Sequence, residues 1–223
     1  MYNGVTECRD FRKEENIAKS PLLVLGFGGN AIDAIDTIEN SYEIIGFIDD
    51  NPERQKLSFE GIPVYTRQVL EKYKDVKVIT LIGSEANFRN RKKIINDFKV
   101  PDSRFATIIH PTAVVSRLAK IGHDVIVFAG VIVTANAVIG NHVFILPNSI
   151  VHHDVNISDY TMIGANVTIA GHVKVGESCY LGSASSIKNG INIGDRSMIG
   201  MAANVVCPVP SNSTMIGNPA KPK

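Results

Sequence analysis

From Ile109 to Val205 every sixth residue is a branched aliphatic: Ile109, Val115, Ile121, Val127 and onward through Ile193, Ile199 and Val205, seventeen positions without a slip or an insertion. Four residues after each lies a second series, from Ala113, Ala119, Val125 and Val131 to Ala203 and Val209, made only of small or aliphatic side chains. Gly follows the aliphatic directly at 122, 140, 164, 176, 182, 194 and 200. A period of six fits neither a helix nor an ordinary alternating strand. It fits a coil with flat sides, each side a short strand and a corner. The aliphatic points inward, the small residue packs near the corner, and Gly or a polar residue makes the turn. Adjacent coils pair their backbones about 4.8 Å apart, so a stack buries what one coil could not. The pattern specifies a repeat solenoid.

The chain has 223 residues, of which 44% are hydrophobic, enough for one or two domains with a real core. A formal charge of +1 and a pI near 7.7 exclude a nucleic-acid or polyanion footprint. Cys8, Cys179 and Cys207 are odd in number and lack metal-site spacing, and Cys179 fills a small-residue slot of the ladder. That usage, with no signal peptide and no membrane-length apolar run, predicts a cytoplasmic protein without a membrane segment. Residues 1–20 are polar and mixed in charge, and read as an N-terminal arm.

Between arm and ladder the text changes character. Leu22-Leu23-Val24-Leu25 is an apolar strand, Gly26-Phe27-Gly28-Gly29-Asn30 a turn, and Ile32, Ile35 and Ile38 mark a helix to about Glu39. Ile44–Ile48 is a second strand ending in Asp49-Asp50, 61–64 a short strand or turn, 69–73 a helix, and Val78–Ile82 a third strand ending in Gly83-Ser84. Residues 87–98 read as a basic helix with Ile94, Ile95 and Phe98 on one side. This alternation predicts a small parallel sheet with crossover helices. Ligands bind such sheets over the C-terminal strand ends, where Gly28, Gly29, Asn30, Asp49, Asp50 and Gly83 converge. Glycines admit a phosphate and an acid further on can hold a ribose or base. The spacing falls short of GxGxxG, so the turn alone fits a nucleotide-sugar site, a bare structural turn or an NAD site.

GFGGNAIDAID, YEIIGFIDDNPE, FEGIPV, ITLIGSEANFRNRKKI and ATIIHPTAVVS precede the hexapeptide tract. In this order they resemble the hexapeptide-repeat sugar acetyltransferases, over roughly residues 21–221. The subfamily is that of sialic acid O-acetyltransferases and bacterial nucleotide-amino-sugar N-acetyltransferases, including the UDP-N-acetylbacillosamine and GDP-perosamine enzymes. The resemblance implies an α/β Rossmann-like domain at 21–105 that holds a nucleotide sugar. It implies a left-handed parallel β-helix at 106–223 that binds acetyl-CoA and closes with a terminal loop. Three hexads make a turn, so the helix has about six turns and stands on the order of 25–30 Å tall. A homotrimer with acetyl-CoA between subunits is implied as well.

Acyl transfer to an amine or hydroxyl needs a general base, and His is the usual one. His110 lies where the domains join and reads as structural, and His123 and His142 as solvated corner residues. In Val151-His152-His153-Asp154 the inward Val151 leaves His153 at an outward corner with a carboxylate beside it. The resemblance puts the base on His153 and its orienting carboxylate on Asp154. It puts acetyl-CoA contacts, largely through backbone, near Met162, Gly171, Ser183 and Met201. Relatives often carry His where Met162 and Asn30 stand, and Asn where Leu146 stands.

The expected activity is acetyl-CoA-dependent N-acetylation of a nucleotide-linked 4-amino-4,6-dideoxy sugar for surface polysaccharide synthesis, without a metal. The alternative within the subfamily is O-acetylation of a sialic acid or similar sugar. Two further readings differ in class. One is a γ-carbonic-anhydrase-like zinc enzyme using His153, His172 and a third ligand such as His142 from a neighbouring chain. The other is a non-enzymatic nucleotide-sugar-binding protein.

Overall fold

A computed structural model describes residues 19–223. The arm expected at 1–20 lies, up to residue 18, outside the described residues, as does Cys8. The first sheet is built on β1 (Ser20–Leu25), where Leu22, Leu23, Val24 and Leu25 are all fully buried. A strand apolar on both faces belongs in the middle of a parallel sheet covered on both sides, and β1 lies there. It pairs in parallel with β2 (Tyr42–Ile48) on one side and β5 (Lys77–Thr80) on the other. Beyond β2 lies β4 (Ile62–Tyr65), with β3 (Ser58–Phe59) antiparallel at the edge. The single helix expected before β2 is two short ones, α1 (Gly29–Asp33) and α2 (Ile35–Glu39), meeting at Ala34. α3 (Val69–Lys72) leads into β5, and the expected basic helix shortens to a 3₁₀ turn and α4 (Arg91–Asn96).

Phe105 then bridges Val78, and the Ala106 amide donates to the Val78 carbonyl, so the chain adds to the β5 edge before leaving. The solenoid begins at Ile108–Ile109. From there to Asn204–Val205 its strands are two residues long, and each pairs in parallel with the strand three hexads away, such as Ile150–Val151 with Thr168–Ile169. This gives three faces. The docked face runs from Ile108–Ile109 through Phe144–Ile145 and Met162–Ile163 to Met198–Ile199. It is completed by Thr214–Ile216 and the antiparallel Lys221–Pro222. The second face runs from Val114–Val115 to Asn204–Val205, the third from Lys120–Ile121 to Asn192–Ile193.

From Val127 to Val205 every ladder aliphatic is buried. Ile109 departs from the inward reading and is 39% exposed, because the first coil has no coil before it to cover its open end. Polar members of the small series bond to corner carbonyls inside the coil: Ser149 Oγ donates to Gly164 O at 2.7 Å and Thr161 Oγ1 to Gly176 O at 2.9 Å.

The corners turn differently from the simplest expectation. The residue in left-handed conformation stands three after the ladder aliphatic, as at Asn136, His142, Asn148, Asp154, Asn166 and His172. Asn and Asp tolerate that conformation through local hydrogen bonding. The glycines directly after the aliphatics serve close approach instead. A Cβ on Gly140 would stand 2.3 Å from Asp159 Oδ1, the same oxygen that accepts the Asn141 amide at 2.8 Å.

Candidate active site

The cleft over the C-terminal ends of β1, β2 and β5 has a volume of about 480 Å³. Gly28, Gly29, Asn30, Asp49, Asp50 and Gly83 all line it, brought there from three separate strand ends. Gly26 makes the turn out of β1 at φ +104, a conformation that side chains avoid. Asn30 Nδ2 donates to Gly83 O at 2.8 Å and ties the glycine turn to the loop after β5. Asp49 organises the other wall, accepting from the Phe27 amide at 3.3 Å, the Asn51 amide at 2.9 Å and Arg54 Nη1 at 2.8 Å. Asp50 pairs with Arg67, and that hydrogen-bonded guanidinium holds its carboxyl below the usual carboxylate range.

Sequence reasoning missed Arg54. Its guanidinium donates to Phe27 O at 2.6 Å and lies over the glycine turn, the place for a cation if the turn takes a diphosphate. A lone Arg in a polar loop gave no signal; only the fold of 49–56 brings it back.

A second pocket of about 230 Å³ continues from Asn30, Gly83 and Ser84 onto the docked face, where Phe144, Leu146, Met162 and Tyr180 form its floor. Met162, expected among the acetyl-CoA contacts, is here only 2% exposed. Its sulfur is 2.7 Å from where a Cβ on Gly83 would stand, so it packs against the first domain. Ser183 and Met201 occupy equivalent corners one rung apart, between the docked and second faces, and Met201 is 74% exposed. Gly171 lies on another corner altogether, beside His153.

That corner joins the second and third faces. His153 Nδ1 and Asp154 Oδ2 are 2.8 Å apart, which leaves the ring's Nε2 outside the pair. Asp154 Oδ1 accepts Asn136 Nδ2 at 3.1 Å. The His153 ring first, and the Asn136 amide second, hold Asp154 below the usual carboxylate range. His172, one rung on, sets its ring edge-on to His153 with centroids 5.0 Å apart. Possible metal-ligand atoms of His153, Asp154 and His172 lie within 4.8 Å of one another.

The expectation of solvated corners at His123 and His142 fails. His142 is 5% exposed, stacks on Tyr160 at 4.6 Å and pairs through Nδ1 with Asp124 Oδ2 at 2.7 Å. Asp124 also accepts the Thr80 amide at 2.7 Å. His123 stacks on Phe105 at 5.9 Å. The domains close over this corner, and a His142 so enclosed cannot serve a neighbouring chain as a third zinc ligand. His110 lies at the domain joint, with Nδ1 2.9 Å from Thr112 Oγ1.

The "basic helix" likewise hides a charge, since Arg91 is fully buried. It donates through Nε to Ile82 O at 2.7 Å and through Nη1 to His142 O, and lies 5.2 Å over the Phe144 ring. Burial pushes its guanidinium down to about 10. The signal for this interface was in the text. Ile108, Ile126, Phe144, Met162, Tyr180 and Met198, each just before a ladder aliphatic and three hexads apart, are uniformly apolar and join the core of the first domain.

The PglD N-terminal domain family matches residues 21–98, and the bacterial transferase hexapeptide family (six repeats) matches residues 136–171. No curated protein sequence matches the chain. Among solved structures, the acetyltransferase domain of PglB from Neisseria gonorrhoeae FA1090 in complex with acetyl coenzyme A is 27% identical, with a TM-score of 0.82. The alignment covers 92% of this chain and 100% of that one. PerB from Caulobacter crescentus, in complex with CoA and GDP-perosamine, is 27% identical with a TM-score of 0.81, over 92% of this chain and 97% of that one. WeeI from Acinetobacter baumannii AYE shares the fold at 23% identity and a TM-score of 0.79, over 92% and 100%. With a PglD N-terminal domain and hexapeptide repeats in this order on that shared fold, the chain is similar to the hexapeptide-repeat acyltransferases of the PglD-like subfamily.

Proposed function

We propose that the protein moves the acetyl group of acetyl-CoA onto the 4-amino group of a nucleotide-linked 4-amino-4,6-dideoxy sugar, with His153 as general base. The nucleotide sugar occupies the cleft of residues 21–105, and acetyl-CoA binds the solenoid of residues 106–223. The observation that carries this reading is the pairing of a glycine-walled cleft with an outward His–Asp pair. PerB, which aligns with 92% of this chain, was solved with both CoA and GDP-perosamine.

The chemistry follows from the corner. A sugar ammonium must first lose a proton, because only the free amine has a lone pair for the thioester carbonyl. As the C–N bond forms, the nitrogen sheds its second proton to His153 Nε2, the imidazole nitrogen not bonded to Asp154. Asp154 stabilises the resulting imidazolium. When the C–S bond breaks, that proton passes to the departing CoA sulfur, leaving an amide and a free thiol.

One chain does not complete this site. The nucleotide domain packs on the docked face, whereas His153 stands at the corner between the other two faces. On a three-sided prism that corner is opposite the docked face. The sugar therefore meets the His153 of a neighbouring subunit, in a homotrimer with acetyl-CoA between chains. Val114 and Ile132, apolar and exposed on the second face, suit such a contact. Among the described residues no helix is long and apolar enough to cross a membrane, and we place the reaction in the cytoplasm, in surface polysaccharide synthesis.

The test is a panel of UDP-, GDP- and dTDP-linked 4-amino-4,6-dideoxy sugars with acetyl-CoA, read by thiol release and product mass. Acetylation of one of them is the expected result. Thiol release with sialic acid alone would replace N- by O-acetylation, and none with any acceptor would overturn the reading.

A further inference from the structure

The transfer step leaves two residues around His153 without a role. At this corner the left-handed positions on successive rungs are Asn136, Asp154 and His172, with φ of 59° at each. Equal conformation on equal rungs stacks their side chains in one column. Asn136 Nδ2 holds Asp154 Oδ1 at 3.1 Å while Oδ2 holds His153 Nδ1 at 2.8 Å, so both carboxylate oxygens are used and the carboxylate plane is fixed. One position earlier on the next rung stands Gly171. A Cβ there would lie 2.7 Å from His153 Cε1, 2.8 Å from Nε2 and 3.3 Å from Nδ1. The imidazole therefore lies directly over the Gly171 Cα. The φ of Gly171 is outside the left-handed region, so the backbone accepts a side chain there. Only the ring excludes one.

We propose that Asn136 and Gly171 are positioning residues of the acetyl transfer. Asn136 locks Asp154, and through it the His153 tautomer that presents Nε2. Gly171 supplies the space in which the ring lies along the corner. The inference rests on His153 being the base.

The experiment uses the full chain with acetyl-CoA and the accepted amino-sugar nucleotide, and compares Gly171→Ala, Asn136→Gly and Asn136→Asp. Gly is chosen at 136 because it keeps the left-handed backbone. Gly171→Ala should lower kcat about 10- to 100-fold through ring displacement, leaving the KM for acetyl-CoA and the Tm near wild type. Asn136→Gly should cost roughly 2- to 10-fold, the worth of one hydrogen bond. Asn136→Asp sets a second negative charge by the pair and favours the imidazolium. The acid limb of the pH–rate profile should then move up by about half a pH unit, given the exposure of the corner.

The deciding measurement is each substitution repeated in His153→Ala. If Asn136 and Gly171 act through the ring, their effects vanish there to within about twofold. Reductions that persist in that background overturn the proposal. So does a Gly171→Ala variant that keeps kcat but raises the KM for acetyl-CoA, which would make Gly171 a coenzyme contact. A His153-dependent enzyme indifferent to both positions overturns this inference alone. Full activity in His153→Ala removes the base assignment and this inference with it.

Discussion

In the proposed reaction His153 would owe its chemistry to its neighbours more than to its own exposure. The carboxylate beside it fixes which nitrogen is free, and the rung beyond it has no side chain in the way. Loss of a general base costs about 10²–10⁴ in rate, so His153→Ala should lower kcat by that order while the Tm holds, since Val151 keeps the core contact. Asp154→Asn should cost less, because the imidazole remains and only its orientation suffers. A His153→Ala enzyme with more than about a third of wild-type kcat, far above that range, would rule out the base assignment. Because Asp154 is held below its usual range, it stays ionised until the medium falls below ordinary carboxylate values. Its orienting bond is therefore present throughout the neutral range and is lost as Asp154 protonates in acid.

At the scale of elements, the ends of β2 and β5 carry the cleft. Asp49 closes the end of β2 by binding two amides and Arg54, so Asp49→Ala should loosen the turn that faces the ligand. Steady-state kinetics should show a raised KM for the sugar nucleotide and an unchanged KM for acetyl-CoA; equal damage to both would assign the domain a purely structural part. Arg91 fastens the loop after β5 to the solenoid, through the Ile82 carbonyl on one side and the His142 carbonyl on the other. Arg91→Met would leave those acceptors buried without their donor, a loss of about 2–4 kcal/mol. Chemical denaturation should register it, together with a weaker hold on the sugar nucleotide. Within the ladder, burial pushes the Cys179 thiol up to about 11. Iodoacetamide near neutral pH should thus label the exposed Cys207 and spare Cys179 until the solenoid unfolds.

For the whole molecule, the proposed function makes activity a property of the assembly, because the docked face and the His153 corner lie apart on one chain. Light scattering should find a trimer at micromolar protein, and a monomer with full activity would contradict the shared site. Mixed assemblies give a sharper check. Co-expressed His153→Ala and Asp49→Ala chains, assayed at low sugar nucleotide, should regain activity that neither has alone. In some interfaces an intact corner then faces an intact cleft. No gain on mixing would mean that each chain brings its own His153 to its own cleft.

How much of this was legible beforehand depends on how local the cause is. A ladder of aliphatics at every sixth residue admits one kind of packing, so the solenoid, its inward residues and the outward place of His153 follow from the text alone. The α/β region was nearly as clear, because a run such as Leu22–Leu25 is buried only as a central strand. What the text could not decide is which of three repeating faces meets the first domain, since the inward ladder is the same on all of them. The apolar column Ile108, Ile126, Phe144, Met162, Tyr180, Met198 held the answer at a longer period. That docking alone buries His142 and Arg91, which by composition belong to solvent, and packs Met162 beneath Gly83. It also sets the cleft and His153 on opposite sides of one chain. Sequence periodicity determined the prism, because each rung is held by its nearest neighbours. Only the tertiary structure decided what the prism is turned toward, because that depends on contacts between residues far apart in the chain.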